Sequence, residues 1–247
     1  MLLSSVWLAG AAHGLVIHRD FNTTLVDGDQ AGTAFAIDVN IGTTAITDLN
    51  VVLHFDSPNP LDKMFNGDIW AVLAHDDIDG AYAESYLLTR PGREVGRLAG
   101  YSDSGLGSGG ALKLTLDDEA AYDIHTYRDQ TGTLSGPLTG SWQPSGRFAA
   151  IPGEELRTTP RDPSLLLSAF DGMKPNGIWW LYVADMDLGG TSRLVSVDLE
   201  FSLLGSGSGP AVPEPGLTAV VGGLFLIGFA SWRRIQGRNG TSREIAA

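Results

Sequence analysis

The sequence contains no cysteine among its 247 residues. A chain without cysteine has no disulfide framework and no Cys-x-x-Cys site for zinc or redox chemistry. Basic residues are also scarce, because 16 Lys and Arg stand against 29 Asp and Glu and give a formal net charge of −13. Such a charge repels the phosphate backbone, so nucleic acid is excluded as a partner. Stability must therefore come from an ordinary core, with or without bound ions.

Long stretches with helical spacing are missing too, whereas strand-like alternation is frequent. Apolar and polar residues alternate in segments 35–41, 49–55, 112–116 and 195–203. Two further runs, 69–73 and 178–183, are apolar on both faces and predict central strands. Gly, Pro, Asp and Asn cluster between these segments, which is typical of turns. The pattern predicts an all-β domain, a β-sandwich, over residues 15–204.

Tryptophans are numerous for one domain, and two of them are adjacent. Trp179 and Trp180 lie next to each other in an apolar run. Successive side chains of a strand point to opposite faces, so one ring is predicted to be in the core and the other to be partly exposed. Exposed rings favour a binding surface, and packing at a strand edge is the alternative.

The N-terminal segment predicts export. Residues 1–14 have a short apolar core and end in the small-x-small triplet Ala12-His13-Gly14. This is the pattern of a secretory signal peptide. The sandwich is therefore expected outside the cytoplasm.

The C-terminal segment combines a linker, a proline motif and an apolar run. Residues 205–211 form a Gly/Ser linker that is flexible by composition. The motif Val212-Pro213-Glu214-Pro215 precedes an uncharged run, 217–232, which Arg233 and Arg234 follow, and a polar tail covers 239–247. At 1.5 Å per residue the run is about 24 Å long as a helix, which spans a thin bilayer and predicts one transmembrane helix. The arginines should stay cytoplasmic. An ordinary buried C-terminal helix is the alternative.

This arrangement over residues 212–238 closely resembles the PEP-CTERM sorting signal of Gram-negative bacteria. In that family an exosortase processes the tail and releases or re-anchors the protein. The resemblance implies that an exosortase and the inner membrane are partners. It also implies an exported precursor inserted in the inner membrane, and a mature form in the cell envelope or outside the cell.

The main domain resembles the P/Homo B domain found behind the catalytic domain of kexin-like and furin-like proprotein convertases. The resemblance rests on segments 116–121, 140–144, 167–172, 176–185 and 194–201, which occur in the family's order. It implies a jelly-roll-like sandwich. Within proteases this domain stabilises the neighbouring catalytic unit.

Catalysis is not predicted for this chain. Only about thirty residues separate the predicted signal peptide from the first clear strands, too few for a subtilisin domain, and no serine stands in a Gly-x-Ser-x-Gly turn. The leading hypothesis is a non-catalytic binding or scaffolding module at the envelope, with extracellular polysaccharide or a secreted protease as partner. The alternative is an accessory or stabilising subunit of a secreted serine endopeptidase. A third hypothesis, a hydrolase, would use Asp117 and Asp118.

Calcium is the cofactor that the acidic loops predict. Asp185 and Asp187 precede Gly189-Gly190, and a weaker candidate loop contains Asp76, Asp77 and Asp79 before Gly80. Closely spaced aspartates in glycine-rich turns supply the oxygens that calcium prefers. Asx-turns, in which the carboxylates bind their own backbone, are the alternative for both loops.

Overall fold

The strands of the chain form two β-sheets that pack face to face. The computed structural model describes residues 14–58, 63–94, 96–97, 99–102, 114–134, 137–148 and 156–204. Nine strands lie in these ranges: β1 (Leu15–Thr24), β2 (Thr33–Val39), β3 (Ile46–Asp56), β4 (Ile69–Asp76), β5 (Tyr82–Thr89), β6 (Leu114–Leu116), β7 (Gly140–Trp142), β8 (Gly177–Asp185) and β9 (Arg193–Leu203). The prediction of an all-β domain is confirmed, and the jelly-roll connectivity stays a prediction.

The larger sheet has five strands in the order β1-β9-β3-β6-β7, and the smaller has four in the order β2-β8-β4-β5. Neighbours are antiparallel except β6 and β7, which run parallel. The two runs apolar on both faces, β4 and β8, lie side by side inside the smaller sheet, as predicted for central strands. Their second apolar face is the outer surface of the sandwich.

Helical structure in the described residues is short. It consists of one α-helix, α1 (Tyr127–Thr131), and the 3-10 turns Asn66–Asp68, Ile124–Thr126, Pro163–Leu165 and Leu167–Phe170. None of the helices in the described part of the chain is long and apolar enough to cross a membrane. The predicted signal peptide up to residue 13, the linker and the sorting signal with its membrane helix lie outside the described residues.

The core lies between the inner faces of the two sheets. Trp179 of β8 is fully buried and packs edge-on against Phe201 of β9, with ring centres 5.4 Å apart. The ring centres of Phe21 in β1 and Phe35 in β2 lie 4.7 Å apart. This is a second aromatic contact between the two sheets, and it joins an edge strand of each. Burying one large apolar side chain contributes roughly 1.5–3 kcal/mol, so contacts of this kind hold the layers together.

Strand β9 departs from the predicted alternation at Val195. Residues 197, 199 and 201 point inward as expected, but Leu194 is buried and Val195 is only half-buried. The register with β3 shifts here, because His54 pairs with Ser196 and Phe55 pairs with Leu194. A β-bulge thus inserts Val195 as an extra residue and changes which side chains face the core.

Candidate functional site

The outer surface of the smaller sheet carries a group of exposed and half-buried aromatic and apolar side chains. We call this surface the aromatic face, and its members are Trp70, Tyr86, Phe148, Ile178, Trp180 and Tyr182. Trp180 is 47% exposed, whereas its neighbour Trp179 is fully buried. The prediction that the two rings lie on opposite sides of one strand is confirmed. An exposed apolar surface of this kind marks an interaction site more often than a scattered single side chain does.

Alanines flank Trp180 on both neighbouring strands. Trp180 pairs with Ala36 of β2 and with Ala74 of β4. These small side chains leave the sides of the indole uncovered. Two strand positions further on, Tyr182 is fixed by its hydroxyl group, which donates to the carbonyl of Gln30 at 2.9 Å. The sheet therefore presents Trp180 between two small side chains and beside an anchored tyrosine.

A second aromatic group continues this surface towards β5. Tyr86 lies edge-on to Trp70, with ring centres 6.2 Å apart, and edge-on to Phe148 at 5.5 Å. Phe148 is 53% exposed. Edge-to-face pairs hold rings in defined orientations, so this part of the aromatic face is also preorganised.

Acidic residues border one end of the aromatic face. Asp38 pairs with Ile178, and Asp76 pairs with Tyr82, at the strand ends. The Tyr82 hydroxyl donates to Glu84 at 2.8 Å. Burial and the carboxylate of Glu84 raise the pKa of Tyr82 to about 12, so the phenol stays neutral. The border is thus negatively charged and suits a partner with basic residues around an apolar patch.

The β4–β5 turn contains Asp76, Asp77 and Asp79, and Asp77 organises it. One Asp77 oxygen accepts from the backbone N–H groups of Asp79 and Ala81, each at 2.9 Å, and the other accepts from Lys174 N at 3.1 Å. Burial would raise the pKa of Asp77, but these three backbone donors lower it. Asp76 and Asp79 are exposed. Asp77 thus acts as a turn cap, the alternative to calcium, while calcium binding at this loop stays a prediction.

His75 attaches the same turn to the segment before β8. Its ring stacks on Trp179, with centres 4.1 Å apart and planes 5° apart. Nδ1 lies 3.1 Å from the carbonyl of Ile178, and Nε2 lies 2.9 Å from the carbonyl of Lys174. Whichever ring nitrogen carries a proton donates to the carbonyl that it faces. His75 therefore fixes the strand that carries Ile178 and Trp180.

A cluster of carboxylates surrounds the end of β8, where Asp185 and Asp187 were predicted to bind calcium. Asp185 is buried and accepts from Ser192 Oγ at 2.7 Å through Oδ2, while its Oδ1 accepts no hydrogen bond of normal geometry. Asp187 is half-exposed and accepts from Arg90 Nη2 at 2.9 Å. The same guanidinium lies 3.7 Å from Asp68. Asp68 and Arg90 thus belong to this acidic cluster, although the sequence pattern did not identify them as site residues.

Burial and mutual repulsion act strongly on two members of the acidic cluster. Burial, followed by the charge of Asp185, raises the pKa of Asp68 to about 7 against the opposing effect of Arg90. Burial also raises the pKa of Asp185 to about 6, despite the hydrogen bond from Ser192. Asp27 adds a further negative charge that raises both values. The acidic cluster therefore holds more negative charge than Arg90 balances.

The fit of calcium to Asp185 and Asp187 is limited by the contacts that these carboxylates already make. Each Asp187 oxygen already accepts one hydrogen bond, Oδ1 from Leu188 N at 3.1 Å and Oδ2 from Arg90. Among the residues that the structure describes, no three His, Asp or Glu side chains come close enough together to hold a metal ion. Calcium at this loop stays a prediction.

A buried histidine, His125, contacts a buried serine, Ser145, beside Thr89 at the end of β5. His125 Nε2 is 2.8 Å from Ser145 Oγ, and Thr89 also contacts that hydroxyl. Gly92 N donates to His125 Nδ1 at 3.2 Å, so a neutral ring carries its proton on Nε2 and donates towards Ser145. Burial lowers the pKa of His125 to about 3. A ring in this tautomer cannot accept the serine proton, and neither side chain is exposed.

Other carboxylates near this pair have structural contacts. Asp123 accepts the backbone N–H of His125 at 2.8 Å and binds Arg147 at 2.6 Å, so it does not orient the imidazole as a triad aspartate would. Asp118, a residue of the hydrolase hypothesis, accepts the backbone N–H groups of Leu167 and Ser168. These contacts give Asp118 the role of a turn cap.

Comparison with known proteins identifies no family for the chain. No protein-family description matches it, and no curated protein does. Two crystal structures of a serine protease of Aeromonas sobria, one alone and one in complex with its chaperone, share 12% identity with it at a TM-score of 0.36. The match covers 76% of this chain and 27% of the protease chain. A similarity this low does not establish a shared activity.

Proposed function

We propose that the chain is an exported, non-catalytic binding module that acts as an accessory subunit of a secreted serine endopeptidase. In this role it stabilises the protease from outside, as a P/Homo B domain does within one chain. The aromatic face, with Trp180 at its centre, is the observation that carries the binding function.

The chemistry of the described residues supports a non-catalytic role. The His125–Ser145 pair is buried, and the imidazole donates towards the serine instead of accepting from it. A nucleophile requires a base positioned to remove its proton and access for the substrate. This pair has neither.

The aromatic face supports a protein partner. Tryptophan and tyrosine dominate the binding energy of protein interfaces, where they fill desolvated positions near the centre. Trp180 lies between two alanines, so it can be covered by a partner without displacing large neighbouring side chains. The acidic border at Asp38, Asp76 and Glu84 favours a partner with basic residues at the rim of its contact surface.

The resemblance to the P/Homo B domain supports a protease as that partner. The competing hypothesis is a scaffold that binds envelope polysaccharide, for which aromatic rings also serve. The first hypothesis predicts that the aromatic face binds a protease, and the second predicts that it binds polysaccharide.

We further propose that the C-terminal segment directs the domain to its partner outside the inner membrane. An exosortase would process the chain near the Pro213-Glu214-Pro215 motif. The mature domain would then be located in the envelope or in the medium.

The test is co-purification of tagged full-length protein with the secreted fraction of its host, followed by mass spectrometry. Wild type should capture a serine endopeptidase and raise its melting temperature. Trp180→Ala should reduce capture about tenfold or more, because loss of an interface tryptophan removes at least roughly 1.4 kcal/mol. Tyr122→Ala is the matched control, since Tyr122 is 48% exposed but its ring lies beside Trp142 of β7, in the larger sheet. This variant should capture as much of the endopeptidase as wild type does.

Two results would contradict the proposal. Capture of polysaccharide without a protease would assign the aromatic face to glycan binding. Equal capture by wild type and Trp180→Ala would show that another surface binds the protease.

A further inference from the structure

The strand register places a slot on the aromatic face, on the β4 side of Trp180. Ala74 of β4 pairs with Trp180 of β8 on one side and with Glu84 of β5 on the other. Directly paired residues share one face of a sheet, and here Trp180 is exposed while Ala74 and Glu84 are half-buried. The methyl group of Ala74 therefore forms the floor between two larger side chains. We call this feature the Trp180–Glu84 slot.

The Trp180–Glu84 slot has room for one flat group. Neighbouring strands are about 4.8 Å apart, so the backbones that carry Trp180 and Glu84 are separated by roughly 9.6 Å. A flat group in van der Waals contact needs about 3.5–4.0 Å to each wall. Val72 and Asp76 lie two residues before and after Ala74, on the same face of β4, and they form the two ends of the slot.

One wall and one end of the slot are acidic. Among the residues that the structure describes, neither Asp76 nor Glu84 forms an ion pair. The Tyr82 hydroxyl group donates to Glu84 Oε2 at 2.8 Å. Burial, followed by the Glu84 carboxylate, also raises the pKa of Tyr86, so both phenols stay neutral. Neutral phenols hold the carboxylate in place without cancelling its negative charge.

The indole of Trp180 is open to a cation on the β4 side. In the described part of the chain this ring makes no contact with another ring or with a cationic side chain. The β2 side differs, because Arg19 already lies there and donates to the carbonyl group of Asp38 at 2.8 Å. Beyond Ala36 the sheet also ends, since β2 is an edge strand. Only the β4 side therefore combines the ring with an opposing carboxylate wall.

We propose that the Trp180–Glu84 slot binds the guanidinium group of an arginine from the partner polypeptide. The guanidinium would stack on the indole of Trp180 and donate to Glu84 and Asp76. Its methylene groups would lie over Ala74 and Val72. This inference deepens the proposed function, on which it rests for the presence of a protein partner.

The shape and charge of the slot favour a guanidinium over other cations. A guanidinium is planar, stacks on aromatic rings and presents its donors to carboxylates within its own plane. An ammonium is a strongly hydrated point charge and gains less from a flat slot. A calcium ion needs six to eight oxygens, and no three acidic or histidine side chains converge within the described ranges.

The experiment titrates the full chain in mild detergent with acetyl-Ala-Arg-Ala-amide and follows the indole N–H signal of Trp180 by NMR. Trp180→Phe lacks this signal and thereby assigns it. The same peptide with citrulline in place of arginine is the control, because its urea group is flat and of similar size but uncharged. The arginine peptide should shift the signal to saturation, and the citrulline peptide should not.

Two pairs of matched variants locate the site. Ala74→Leu fills the slot and should prevent the shift, whereas Ala36→Leu adds the same bulk on the other side of the indole and should leave the affinity unchanged. Glu84→Gln should weaken the arginine peptide about threefold or more, since it removes the charge of one wall. Glu119→Gln is its matched control, because Glu119 is exposed and follows β6 in the larger sheet. Melting curves check that each variant folds.

Several outcomes would overturn the proposal. These are equal shifts with the arginine and citrulline peptides, no shift up to the solubility limit, and equal loss of binding in Ala36→Leu and Ala74→Leu. Displacement of the peptide by calcium chloride would assign the carboxylates to a metal ion instead.

The source of the arginine is tested by co-purification. Glu84→Gln should capture less of the endopeptidase than Glu119→Gln does, and equal capture by the two variants would overturn the polypeptide source. The peptide titration contains no protease. If the arginine peptide binds as expected but wild type captures no protease, the accessory-subunit function fails while the arginine slot is retained.

Discussion

At the scale of single residues, the fold makes the charged form of the Asp68 carboxyl group unfavourable. The folded-state pKa is about 7, whereas that of an unfolded aspartate is about 3.9. Between these values the folded protein holds a proton that the unfolded chain has lost. Folding stability from this group is therefore fully present below about pH 4 and is lost as the pH rises through 7.

Asp68→Asn should stabilise the protein at pH 8 and have a smaller effect at pH 5. One pKa unit corresponds to about 1.4 kcal/mol, so a gain on the order of 1 kcal/mol or more in the free energy of unfolding is expected at pH 8. Urea unfolding followed by tryptophan fluorescence at both pH values measures it. Asp77→Asn is the contrasting control, because backbone donors lower the pKa of Asp77 and the variant should lose stability at pH 8. A destabilised Asp68→Asn at pH 8 would show that its ion pair with Arg90 outweighs its burial.

The sequence predicted some side-chain positions and contacts but not others. The opposite orientation of Trp179 and Trp180 follows from strand geometry alone, and the structure confirms it. Asp68 and Arg90 could not be assigned to the acidic cluster, because the ion pair of Arg90 with Asp187 and the effect of the Asp185 charge on Asp68 join segments far apart in the chain. Likewise, Ser145 meets His125 only through the pairing of distant loops. Local patterns carry no information on such contacts.

At the scale of elements, alternation predicted the strands well where nothing interrupts the ladder. Segments 35–39 and 49–55 lie in strands β2 and β3 with the expected residues inside. The bulge at Val195 was not predicted, because the sequence 195–203 alternates without a break. The bulge depends on how β9 pairs with β3, which is a property of two strands. The β2 strand also ends at Val39, two residues before the predicted limit.

The loop between β8 and β9 is the element on which the calcium prediction is tested. If an ion binds there only in the folded state, excess calcium should raise the melting temperature relative to chelator. Asp185→Asn with Asp187→Asn should abolish that rise. Asp76→Asn with Asp79→Asn is the matched control in the β4–β5 turn. It should keep the calcium-dependent rise in melting temperature if the ion binds between β8 and β9. Identical melting curves of wild type in calcium and in chelator would assign the aspartates to structural contacts alone.

At the scale of the whole molecule, the sorting segment is proposed to decide where the sandwich acts. Proline restricts its preceding residue and lacks a backbone donor, so the Pro-Glu-Pro motif should stay extended and open to a processing enzyme. Wild type in its host should lose the mass of the tail from near Pro215. Pro213→Ala with Glu214→Ala should accumulate at full length in the inner membrane. Mass spectrometry of the mature protein measures this, and an intact C-terminus on wild type would show a permanent anchor instead.

The first and last strands of the domain are neighbours, and this determines how it responds to force. Leu15 at the start of β1 pairs with Phe201 near the end of β9. A force that pulls those two ends apart would break the hydrogen bonds between β1 and β9 sequentially, one residue pair at a time. A pull on the end of β9 alone is resisted on both sides, since β9 lies between β1 and β3. A pull on the end of β9 is therefore resisted by two hydrogen-bonded neighbours, whereas a pull between the ends of β1 and β9 breaks one residue pair at a time.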